Sequence, residues 1–155
     1  MFEPTYFNLL REHNIPVFSE PDEMATTFKR LMDEGDLEGA MRSFVDAWAK
    51  QQGTWNKLPE TMKTSMRSTA HRLYFEWDQI YGKTPSLEDL SDIDVPMLLV
   101  KGKNTIGAMD AVCGIMVSGL VNIDYLEVDQ AGHMCPFTHI DSFAPKMLDF
   151  LKRNG

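Results

Sequence analysis

Cysteine is scarce in this chain: Cys113 and Cys135 are the only two, too few for a disulfide framework and without metal-type spacing. Long apolar runs are missing as well, none approaching the roughly 20 residues that a membrane helix needs. Basic side chains are outnumbered, with 15 Lys and Arg against 23 Asp and Glu and a net charge of −8. That surface repels phosphate backbones and anionic lipid, which argues against nucleic-acid and membrane partners. The first residues, MFEPTYFNLLREHN, lack the basic stretch and apolar core of a secretory signal. A soluble protein of a reducing, cytoplasmic compartment is expected. What is present is ordinary for a globular domain: 155 residues, 43% apolar and 25% charged.

Helical grammar dominates the first half. Pro21-Asp22 reads as a helix start, followed by Met24, Phe28, Leu31 and Met32 at helical spacing and a break at Gly35. A second helix is expected over about 36–50, with Leu37, Ala40, Met41, Phe44, Val45 and Trp48 on one stripe, ended by Gly53. A third begins near Pro59, carries Met62, Met66, Ala70, Leu73, Trp77 and Ile80, and stops at Gly82. These three form an amphipathic helical block.

The grammar changes after Pro85. A polar lead-in over 87–94 precedes Val95-Pro96-Met97-Leu98-Leu99-Val100, a continuous apolar run of the kind that parallel sheets bury on both faces. Residues 108–120 suit a crossover helix, 122–128 a second strand, and 142–152 a closing helix with Phe143, Met147, Leu148 and Leu151 inward. Strand, helix, strand, helix in this order predicts an α/β fold with a right-handed parallel βαβ unit. Two parallel strands alone leave apolar edges open, and an open edge is an association site.

Two segments can now be read together: Asp92-Ile93-Asp94-Val95-Pro96-Met97-Leu98-Leu99-Val100-Lys101-Gly102 and Ala131-Gly132-His133-Met134-Cys135-Pro136. The pair resembles the last two strands of the α/β-hydrolase fold, with the turn that presents the catalytic histidine. Glu3-Pro4, then Phe7 and Leu9-Leu10, is similar to the segment after the family's sixth strand. The resemblance implies three parts: a leading segment (1–21), a helical cap (22–84) and the C-terminal βαβα part of the hydrolase core (85–155). It also implies His133 as general base. The acid is open. The family's commonest acid position falls on Thr105, whereas Glu3 stands where some members place theirs; capping a turn or an ion pair at the cap hinge would equally account for Glu3. Asp110 is a weaker candidate, read as a solvated residue of the crossover helix.

The nucleophile is what the resemblance does not supply. None of the eight serines has glycine two residues before and two after, Ser118 lying between Met116 and Leu120, and Cys113 has Ala111 where the elbow needs glycine. No HG-type oxyanion loop is present. His139, near Cys135 and His133, matches no standard zinc spacing, and His13 and His71 read as surface residues. Neither a metal nor an organic cofactor is expected.

Three functions remain in view. The chain is an incomplete ester or acyl hydrolase carrying the catalytic-histidine half, inactive alone; or one half of a split hydrolase completed by a serine-bearing chain; or a degenerate association or binding module. The expected partners are a second copy or a complementing hydrolase chain. The Met-rich and Trp-bearing cap implies a partly apolar small-molecule substrate once the site is assembled.

Overall fold

The computed structural model describes residues 1–80 and 84–155. The helical block is built as its periodicity predicts. Helix α1 covers Asn8–Glu12, and a 3-10 turn over Pro16–Phe18 leads into α2, Ser19–Asp33. Helix α2 thus starts three residues before the expected Asp22, because the 3-10 turn runs straight into it. Gly35, with φ of 79°, supplies the left-handed residue just beyond its end. Helix α3, Leu37–Trp48, is capped by the Asp36 carboxylate, which accepts from Gly39 N at 2.8 Å. A short α4, Thr54–Lys57, follows Gly53 and precedes α5, Glu60–Ile80. On α5 the expected inner stripe holds at Ala70 and Trp77, which are buried, while Met62 is exposed. The predicted stop at Gly82 lies outside the described residues.

The polar lead-in hides a helix. Ser86 and Asp89 form a reciprocal capping box around α6, Leu87–Ser91, which buries Leu90. Strand β1 (Met97–Gly102), helix α7 (Gly107–Gly119) and strand β2 (Ile123–Val128) follow, with β1 and β2 parallel in the register Met97↔Ile123 through Gly102↔Val128. The short α8, Cys135–Thr138, and α9, Ile140–Asn154, close the chain.

Alternation along β1 divides the core. Met97 and Leu99 join the large cluster with Met109, Val112 and Met116 of α7 and with the helical block. Leu98 and Val100 face the other way, toward Phe143 and Met147 of α9. The expected α/β organisation therefore holds: a small parallel sheet between helices, attached to a large helical region.

Besides the two-stranded sheet, β1 carries an isolated bridge on its other edge. Residues 1–3 run parallel to β1, with a bridge from Phe2 to Val100. Val100 N donates to Met1 O at 2.9 Å and Glu3 N to Val100 O at 3.1 Å. One edge of β1 expected to lie open is thus occupied by the first residues of the chain. Phe2 packs edge-on to Phe143, ring centroids 5.0 Å apart. The pairing brings Glu3 level with the C-terminal end of β1.

Candidate functional site

Glu3 sits where residues 1–3 leave the sheet. Its backbone takes a φ of 35°, a left-handed conformation unfavourable for a side chain with a Cβ. Such strain costs on the order of 1–3 kcal/mol and persists only where the surroundings hold it. The holding groups are visible. The carboxylate is buried, 2% exposed, and it accepts from Gly102 N at 2.8 Å through Oε1 and from Thr105 Oγ1 at 2.7 Å through Oε2. The same Oε2 lies 2.7 Å from His133 Nδ1.

The donor groups come from the last residue of β1 and from the turn after it. Gly102 has to be glycine for a packing reason: a Cβ there would lie 2.5 Å from Gly132 O and 2.6 Å from Ala131 O. Asn104 N then donates to Ala131 O at 2.8 Å, and Lys103 N to Val128 O at 3.0 Å. The loop after β1 and the Ala131-Gly132-His133 turn after β2 are therefore laced backbone to backbone. This lacing sets the histidine beside the carboxylate.

With Glu3 accepting at Nδ1, the neutral imidazole carries its proton there and leaves Nε2 as a lone-pair acceptor. Nε2 has no hydrogen-bond partner among the described residues. The His133 side chain is 28% exposed. Its face is covered by Trp48, the last residue of α3, whose indole stacks on the imidazole with centroids 4.0 Å apart and planes 27° apart. The end of α3 is itself anchored. Asp46 accepts from Gly53 N at 2.8 Å and Trp55 N at 2.9 Å, and Lys50 Nζ donates to Thr105 O at 3.0 Å.

Glu3 and His133, the two residues picked out in the sequence, are thus in direct contact. The other candidates are elsewhere. Asp110 lies exposed on α7, as expected, and forms an ion pair with the buried Lys101, which also reaches Glu127 at 3.0 Å. Burial works against the Lys101 ammonium, but the two carboxylates outweigh it and its pKa rises. Cys113 lies inside α7, and burial, helped by the Glu3 charge, pushes its thiol up to about 12. Cys135 is likewise pushed up to about 11. Neither is a thiolate nucleophile at neutral pH. His139 hydrogen-bonds Thr138 Oγ1 at 2.8 Å, and His13 and His71 are exposed.

No protein-family model, curated protein or solved structure matches this chain.

The chemistry of the site therefore carries the functional reading. Among the described residues no group of His, Cys, Asp and Glu is arranged to hold a metal ion, and no helix is long and apolar enough to cross a membrane. What the arrangement offers chemically is a proton acceptor at Nε2 backed by a buried carboxylate, the pairing general-base catalysis uses. Three contributors are not evident in the sequence. Thr105 stands out there only as a position lacking an acid, Gly102 only as a strand end, and Trp48 only as cap packing. The first two follow one another within four residues of a strand end, a pattern that can be searched for; nothing in the helical spacing of Trp48 marks it as facing His133.

Proposed function

We propose that this chain carries the histidine–carboxylate half of an α/β-hydrolase acyl-transfer site. The observation that carries the reading is the 2.7 Å contact between His133 Nδ1 and the buried Glu3 Oε2, made by a strained residue just after the bridge from Phe2 to β1. In this reading His133 Nε2 takes the proton of an attacking hydroxyl as its oxygen bonds to the acyl carbon. The imidazolium so formed is stabilised by Glu3 and returns the proton to the leaving alcohol; water then repeats the cycle to free the acid. Thr105, at the position the resemblance would give to an acid, serves the carboxylate instead.

The hydroxyl comes from outside the residues around Nε2. No serine, threonine or cysteine of the chain is hydrogen-bonded to His133 among the described residues, and both thiols are buried. The reading therefore assigns the nucleophile to another polypeptide segment, whether continuous with this one or separate. Met134 and Phe137, exposed beside the histidine turn, supply apolar surface for a partly apolar acyl ester.

The test is p-nitrophenyl ester hydrolysis by the purified chain, alone and combined with a serine-bearing polypeptide from the same genomic neighbourhood. The expected result is no His133-dependent turnover alone and turnover in the combination that vanishes with His133→Ala. Turnover of the combination that survives His133→Ala overturns the reading.

A further inference from the structure

We infer that Trp48 is a positioning residue for His133, its indole face locking the imidazole in the orientation that joins Nδ1 to Glu3; the inference rests on the reading of His133 as the base. A single hydrogen bond from Nδ1 fixes one atom of the ring and leaves the plane free to swing about it. A flat surface in contact with the ring removes that freedom. The indole is such a surface, with centroids 4.0 Å and planes 27° apart.

The indole is held in turn. Phe7 stacks against it at 6.4 Å and 28°, and Phe44 meets it edge-on at 6.2 Å and 63°. Lys50, two residues beyond it, bonds the carbonyl of Thr105 at 3.0 Å, so the end of α3 is tied to the loop that also holds Glu3. Trp48 is 8% exposed, yet its Nε1–H is buried with no acceptor among the described residues. A stranded donor is unfavourable in a core, and an aliphatic side chain would fill space there without it. Apolar packing alone therefore does not account for an indole at this position, whereas a broad flat face against the imidazole does. Stacking also shields the Nδ1–Glu3 bond from water, which strengthens it.

The experiment is ¹⁵N NMR of the imidazole in histidine-labelled protein, in the unsubstituted chain, Trp48→Phe and Trp48→Met. In the unsubstituted chain His133 is expected to show two well-separated nitrogens, a protonated Nδ1 and an unprotonated Nε2. Trp48→Phe, which keeps a flat ring, preserves that pair. Trp48→Met, which fills volume without a flat face, is expected to lose it, the two signals merging as the ring samples both tautomers. A folded Trp48→Met chain that keeps the separated pair overturns the inference. If Trp48→Met does not fold, the decision passes to the His133 carbon-bound protons. The indole should shift them upfield, less so in Trp48→Phe, and unshifted resonances in the unsubstituted chain overturn it. None of these readouts uses turnover, so a failed hydrolase assay leaves them standing and they can fail while hydrolysis succeeds.

Discussion

Thr105 Oγ1 donates to Glu3 Oε2 at 2.7 Å, so a loop residue after β1 braces a carboxylate that stands 102 positions earlier in the sequence. The hydroxyl is itself buried, and its oxygen partner is the one that faces His133. Replacing it with the similarly shaped valine isolates the hydrogen bond from the packing. Thr105→Val is expected to cost about 2 kcal/mol, the range for a hydrogen bond to a charged group, seen as a fall of about 4–8 °C in Tm. An unchanged melting curve would mean that the hydroxyl adds nothing to the fold.

Glu3→Gln keeps the shape of the side chain but can present an amide donor to Nδ1. His133 should then switch its proton to Nε2 and lose the lone pair that a base needs. The switch is expected in the imidazole ¹⁵N spectrum. In a reconstituted enzyme it should accompany a fall in kcat on the order of 10⁴-fold, the loss seen when a triad histidine is held in the wrong tautomer. A Glu3→Gln variant with an unaltered His133 spectrum contradicts the assignment.

Gly102→Ala drives a Cβ into the carbonyls of Ala131 and Gly132 at 2.6 and 2.5 Å. Backbone on both sides leaves nothing flexible to yield. The expected loss is about 3 kcal/mol, with the histidine turn displaced and the Nδ1–Glu3 bond lost in the same spectrum. Urea titration by circular dichroism measures the first effect, and an unchanged midpoint excludes the close approach.

Stability should also fall in alkali. In the unfolded chain Cys113 ionises near 9, whereas in the fold it keeps its proton to about 12. Between those values the unfolded state binds fewer protons, so unfolding becomes easier as pH rises, by an amount on the order of 1 kcal/mol per unit. Melting curves from pH 7 to 11 should show Tm declining above pH 9, and Cys113→Ala should flatten the decline. Equal slopes in the two proteins would assign it to other groups.

Self-association is expected along the sheet edge. A groove of about 300 Å³ lined by Met1, Phe2, Pro96, Leu98, Met147 and Leu151 runs beside residues 1–3, and Met1 and Leu151 are exposed there. Apolar surface of this kind favours pairing with a second copy. Sedimentation velocity should show a dimer, whereas a compact monomer independent of concentration removes the expectation.

Local chemistry made most elements legible in the sequence. The run from Val95 to Val100 has the composition of a buried strand, and the stripes ending at Trp48 and Ile80 have the period of helices. Helix α6 is missed: the spacing of Ser86 and Asp89 is that of a capping box, but the polar composition of 87–94 reads first as a loop. Short α4 and α8 carry too few residues for a period to register. The pairing of residues 1–3 with β1 has no local signature, because its partner lies some 97 positions away. The same holds for the site. Glu3 and His133 could be picked out only through a resemblance, and their shared contact, Thr105's support and the Trp48 stack arise from long-range packing that spacing does not encode.

The contact between Glu3 and His133 spans 130 positions, nearly the full chain, and this has a kinetic consequence. Loop closure over such a distance brings little reward until the intervening elements are formed, so contacts of this kind tend to come late in folding. No collapsed intermediate with only the helical block in place would hold the pair. Its imidazole signature should appear in refolding after far-UV ellipticity has recovered, which makes the pair a reporter of completed folding.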